Sequence, residues 1–138
     1  MRLTHLLERL EYEVIEGSDV TCVTELINDS RKVTKGCVFV CISGAVSDGH
    51  AYAKEAAGKG AAALVVEKEV EAGGDVTVIR VRDTRYALAL MSAAYFGYPA
   101  EKLKVIGITG TKGKTTTTYM VKSILEGVGH KVGLIGTI

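Results

Sequence analysis

The stretch GITGTKGKTTTT, Gly107–Thr118, follows the apolar residues Val105 and Ile106 and leads toward Met120, Val121, Ile124, Leu125 and Val128, which recur at helical spacing. This order predicts a strand over 104–109, a glycine-rich turn, a helix over 113–126 that buries that stripe, and a second strand over 131–135. Together these make one βαβ unit, the elementary piece of an α/β fold. A helix entered through Gly110 and Gly113 points its free first-turn N–H groups at whatever lies beyond the turn. The glycines let the backbone curl round an anion where a Cβ would collide. Lys114 adds a cation able to reach β- and γ-phosphates, and Thr115 a hydroxyl suited to Mg²⁺. The chemistry is that of a site for a nucleoside triphosphate.

The spacing departs from the commonest phosphate loop. That loop has a glycine five residues before its Gly-Lys pair, where this chain has Ile108; its glycines fall at 107, 110 and 113. A dinucleotide fingerprint fits no better, because G-x-G-x-x-G is absent and no acidic residue follows at the required distance. A solvated glycine turn with a free Lys114 is the plain alternative. The strand before it and the helix after it argue against that.

Upstream, Leu3, Leu6, Leu7 and Leu10 predict a short first helix. Cys37–Ile42 and Ala61–Val66 are continuous apolar runs of strand length, as expected of strands covered on both faces. His50–Gly58 reads as a helix ending at glycine, Glu67–Asp75 as a surface loop and Val76–Val81 as a further strand. Asp83 or Thr84 caps a helix whose inner face uses Ala87, Leu88, Met91, Ala94 and Tyr95. Gly97-Tyr98-Pro99 ends it. The fold class is therefore α/β: an N-terminal mixed or parallel sheet with flanking helices over 1–100, then the first βαβ unit of a P-loop ATPase domain over 101–138.

A length of 138 residues suits one domain, or one domain and part of another. The formal net charge of +1 gives no electrostatic case for nucleic acid or an anionic membrane surface. No apolar run approaches the roughly 18 residues of a membrane span, and the N-terminal MRLTHLLERLEYE is charged throughout, unlike a signal peptide. Cys22, Cys37 and Cys41 are odd in number and lack C-x-x-C spacing, so core thiols are expected, with Cys37 and Cys41 on the same face as Phe39. Reduced thiols without an export signal point to the cytoplasm.

Gly110-Thr-Lys-Gly-Lys-Thr-Thr116 resembles the ATP-binding loop of the Mur ligases. Asn28-Asp-Ser-Arg31, Gly36-Cys-Val-Phe-Val40, Gly44, Ser47-Asp-Gly-His50 and Gly60-Ala61 are similar, in that order, to the N-terminal uridine-nucleotide-binding domain of two branches of that family. Tyr95-Phe-Gly-Tyr-Pro99 and Gly133-Leu-Ile-Gly-Thr-Ile138 resemble the branch that adds the third residue to UDP-N-acetylmuramoyl peptides. The resemblance implies a three-domain, ATP-dependent amide-bond ligase. This chain would hold its first domain and the opening of its second, and would not turn over by itself. ATP would convert the substrate carboxylate to an acyl phosphate, which the incoming amine then attacks.

The resemblance also assigns residues. Gly110, Thr111, Lys112, Gly113, Lys114, Thr115 and Thr116 would meet ATP, with Lys114 catalytic and Thr115 toward Mg²⁺. Asn28, Ser30, Ala45, Val46 and Ser47 would meet the UDP-sugar peptide, the last three through main-chain groups. Small-molecule substrates are the expected partners, with no nucleic acid and no membrane. The half-built second sheet is expected to lean on the first domain or to pair with another copy of the chain. His50 is expected to start a helix rather than to catalyse, and Asp29–Arg31 can also be a capped turn with its own ion pair. Two readings stay open beside this one: a dipeptide-adding ligase of the same family, and a stand-alone uridine-nucleotide or phosphate-binding module. A folate-type polyglutamate ligase shares a related loop but lacks the Asp-Ser-Arg domain. Diaminopimelate and lysine remain equal candidates for the added residue.

Overall fold

The computed structural model describes residues 1–45 and 47–136. The chain divides into two compact units, Met1–Lys102 and Leu103–Ile138. Within the first, helix α1 (Leu3–Leu7) precedes strands β1 (Tyr12–Glu16), β2 (Leu26–Ile27) and β3 (Val38–Val40). Helix α2 (Ala53–Gly58), strands β4 (Ala63–Val66) and β5 (Thr77–Val81), and helix α3 (Thr84–Tyr95) follow. The sheet order is β1-β5-β4-β3-β2. The four strands from β2 to β5 run parallel, and β1 closes the β5 edge antiparallel.

The apolar runs end up where doubly covered strands belong. Val38, Val40, Ala63, Val65, Ile79 and Val81 pack with Leu3, Leu6 and Leu7 of α1 and Ala87, Met91 and Ala94 of α3 on one face. Cys37, Phe39, Cys41, Leu64, Val66 and Val78 pack with Ala53 and Ala56 of α2 on the other. Strand alternation alone sorts these side chains between the two faces. Small alanines on α2 let that helix approach the sheet closely. Asp83 is the residue that caps α3, accepting the N–H groups of Arg85 and Tyr86. The α3 face is as expected, with Ala87, Met91 and Ala94 buried and Leu88 and Tyr95 packed at its margin. The sheet is mixed, with helices on both faces.

Several boundaries differ from expectation. The run Cys37–Ile42 pairs as a strand only over Val38–Val40, although the Cys41 N–H still reaches the Val65 carbonyl. His50 lies in a 3₁₀ turn, Gly49–Tyr52, and the α-helix starts after it at Ala53. Strand β1 had no periodic signal, since four of its five residues are exposed. Its pairing rests on the β5 edge and on an Arg80–Glu13 ion pair between opposite residues. Cys22 is exposed rather than in the core; Cys37 and Cys41 are buried.

The second unit keeps its helix, α4 (Lys114–Gly127), and loses both strands. Residues 104–109 and 131–135 form no ladder among the described residues. A strand exists only through a hydrogen-bonded neighbour, and an apolar run without one remains an extended segment. The apolar stripe of α4 is not buried either: Met120 is 61%, Ile124 68% and Val128 69% exposed.

Candidate functional site

Parallel strands carry their loops at the carboxyl ends, and ligands of such sheets collect there. The neighbouring strands β2 and β3 accordingly bring two groups of candidate residues to one edge. Asn28, exposed, follows β2 directly. After it, Asp29 caps a 3₁₀ turn at Ser30–Lys32 by accepting the Arg31 N–H at 3.1 Å. The Arg31 guanidinium grips the same carboxylate twice, at 2.9 and 2.8 Å, and holds its pKa down to about 2. Lys59 Nζ donates to the Ser30 carbonyl at 3.0 Å. The start of the turn is thus held from both sides of the chain, by Asp29 and by Lys59, and Ser30 is partly open to solvent.

The second group lies in the loop after β3. Ser43 and Asp48 form an antiparallel bridge, and Gly44 donates its N–H to the Ser47 carbonyl at 2.8 Å. Ala45 and Ser47 are exposed within this narrow hairpin, while Val46 lies outside the described residues. Gly49 returns the chain to β3: a Cβ there would come within 2.7 Å of the Ile42 nitrogen, so only glycine lets the backbones meet.

Asp48 anchors the hairpin from below. Lys68 contacts it at 2.5 Å, and the His50 N–H and ring Nδ1 at 3.0 and 2.6 Å. Lys68 first, then His50, hold this carboxyl well below the usual range. The His50 ring is buried, and its Nε2 accepts the Glu67 N–H at 2.9 Å. The ring proton therefore sits on Nδ1 and is donated to Asp48. His50 lies within the 3₁₀ turn that leads into α2, and it also ties the loop to the end of β4. From α3, Arg85 Nη2 donates to the Ser43 carbonyl at 2.9 Å. Asp48 lies within the motif Ser47-Asp-Gly-His50; for Arg85, Glu67 and Lys68 no local signal exists.

In the second unit, Gly113 is the N-cap of α4 in the left-handed region, with φ 76°, and no side chain caps the helix. Gly110 also has positive φ, 151°. Lys114 folds back to donate to the Gly110 carbonyl at 2.6 Å, closing the loop on itself. The first backbone bond of the helix runs from the Thr117 N–H to the Gly113 carbonyl at 2.9 Å. The N–H groups of Lys114, Thr115 and Thr116 precede it and have no intrahelical acceptor. Thr111, Lys112, Thr115 and Thr116 are exposed beside them. An uncapped helix start behind two positive-φ glycines, with two lysines, fits a polyphosphate. Thr115 offers magnesium one hydroxyl. Among the described residues no group of three or more His, Cys, Asp or Glu could hold a metal, and one hydroxyl does not retain a dication that takes six oxygens.

A family model described as Mur ligase family, catalytic domain, matches residues 23–96. The UDP-N-acetylmuramoyl-L-alanyl-D-glutamate–2,6-diaminopimelate ligase of Clostridium perfringens is 51% identical over 138 residues, all of this chain and 28% of that protein. The ligase of the same name from Bacillus licheniformis is 49% identical over 139 residues, again with 28% of its length covered. The chain thus spans little more than a quarter of these relatives. Among solved structures, MurF from Acinetobacter baumannii matches with TM-score 0.62 and 26% identity, over 93% of this chain and 28% of that one. MurF from Thermotoga maritima, in complex with ADP, matches with TM-score 0.55 and 28% identity, over 78% of this chain and 24% of that one. Among the described residues, no helix is long and apolar enough to cross a membrane.

Proposed function

Because this chain belongs to the Mur ligase family, we propose that it is the N-terminal part of the ligase that adds 2,6-diaminopimelate to UDP-N-acetylmuramoyl-L-alanyl-D-glutamate. The single observation that carries this reading is the match of the entire chain, at 51% identity, to a diaminopimelate ligase. The dipeptide-adding alternative draws on the MurF structures, and their 26–28% identity makes it the weaker of the two. In this reading residues 1–100 hold the UDP-sugar and residues 101–138 open the ATP-binding domain. The setting is the cytoplasm, and the substrates are small molecules.

ATP supplies the phosphoryl group that makes the substrate carboxylate an acyl phosphate. The chain's own residues hold and screen it. The amides of Lys114, Thr115 and Thr116 face the phosphates, with Gly110, Thr111, Lys112 and Gly113 forming the turn around them. The Lys114 ammonium, now on the Gly110 carbonyl, offsets the charge that phosphate and carboxylate bring together. Asn28, Ser30, Ala45, Val46 and Ser47 hold the uridine end, with the Asp29–Arg31 pair keeping the Ser30 turn in shape.

The test uses the full-length enzyme. Lys114→Ala is expected to abolish ligation while UDP-substrate binding persists. Ser30→Ala is expected to weaken that binding by about 1 kcal/mol through one lost hydrogen bond. Wild-type turnover by the lysine variant removes the loop from the chemistry, and an unchanged KM for Ser30→Ala returns that residue to a purely structural role.

A further inference from the structure

If the loop after β3 meets its ligand through main-chain groups, as the proposed function has it, its binding geometry depends on what holds that main chain in place. Two of its fastenings come from neighbouring segments of the chain: Asp48 to His50 and Lys68 below, and Arg85 to the Ser43 carbonyl at 2.9 Å. Arg85 sits in the first turn of α3, and that turn is held by four hydrogen bonds. The Arg85 and Tyr86 N–H groups are capped by Asp83 at 2.9 Å each, and the buried Thr84 beside them donates twice to Glu67. In the sheet order β5-β4-β3, the Arg85 side chain reaches from the exit of β5, past β4, to the exit of β3. A long, planar, permanently charged donor bound to one carbonyl transmits the position of α3 to the loop.

We propose that Arg85 is a positioning residue for uridine-nucleotide binding, setting the main chain at Ser43 and Gly44 from the start of α3 without touching the ligand. The proposal rests on the reading that this loop meets the UDP-sugar. Side chains that lock a binding loop from behind govern its precision, and an error of about 1 Å is enough to loosen a site.

The experiment titrates UDP-N-acetylmuramoyl-L-alanyl-D-glutamate into the 138-residue chain and its variants Arg85→Met and Arg85→Lys, with amide hydrogen exchange followed at Gly44. Arg85→Met keeps the apolar stem and removes every donor. It is expected to weaken binding roughly tenfold, as loss of a charged hydrogen bond does, and to speed exchange of the Gly44 amide. Arg85→Lys restores most of both. The weakening in Arg85→Met should persist at high salt, because no phosphate contact is lost. Equal affinity and exchange in Arg85→Met overturns the proposal while leaving the loop as the binding site. Weakened binding with unchanged Gly44 exchange, erased by salt, makes Arg85 a direct phosphate contact and overturns the positioning role. A wild-type chain that does not bind the probe removes the underlying reading of the loop together with the proposal.

Discussion

Thr84 gives both its backbone N–H and its hydroxyl to one carboxylate oxygen of Glu67, each at 2.7 Å. Thr84 is fully buried, so the start of α3 is joined to the end of β4 by two bonds that water cannot readily replace. Glu67→Ala leaves both donors without a partner and is expected to lower stability by about 1–3 kcal/mol in urea titration. Glu67→Gln keeps an acceptor and should cost less. An alanine variant as stable as wild type would show that solvent reaches Thr84.

The three thiols should separate sharply by reactivity. Burial pushes the Cys41 thiol up to about 12 and raises that of Cys37, whereas Cys22 is exposed. Since the thiolate is the reactive form, a maleimide at pH 7 is expected to label Cys22 alone in the native chain and all three cysteines in denaturant. Native labelling of Cys41, read by peptide mass spectrometry, would contradict its place beneath α2.

Asp48 makes the loop acid-sensitive in a predictable direction. Its carboxyl titrates below the ordinary 3.8, held there by Lys68 and then His50. A depressed carboxylate contributes stability that is fully present above its unfolded pKa and is lost as pH falls through the folded value. The loss therefore begins near pH 4 and deepens below it. Asp48→Asn is expected to flatten the pH dependence of unfolding in that window. A variant with the same acid slope as wild type would assign the sensitivity to other carboxylates, Asp29 first.

Nucleotide binding by the 138-residue chain should be weak although its loop is formed. No residue of α4 is buried, and the flanking segments form no sheet among the described residues. Amides at a helix start need only local geometry to meet a phosphate, while the adenine has no surface assigned to it. Calorimetry with ATP is expected to give a Kd near millimolar, about 4 kcal/mol of binding, and weaker still in Lys114→Ala. Micromolar affinity would mean that residues 103–138 already make a complete nucleotide site.

What the sequence by itself determined was local. Asp83 before Thr84 and the spacing of Ala87, Met91 and Ala94 specify α3, because capping and burial of one helix face are encoded within four residues of each other. The runs at 37–42 and 61–66 announce strands because a doubly covered strand must be apolar throughout. Gly110, Gly113 and Lys114 announce a glycine turn into a helix for the same reason: everything they need lies within one loop and one helix start. Tertiary structure alone decided the rest. Strand β1 is exposed along most of its length, and only the β5 edge makes it a strand. The same requirement leaves 104–109 and 131–135 unpaired among the described residues despite their apolar pattern. Arg85 and Ser43 stand 42 residues apart, and their hydrogen bond follows from the order β5-β4-β3 rather than from either segment's composition. Pairing partners are supplied by the sheet, and no periodicity within a segment records them.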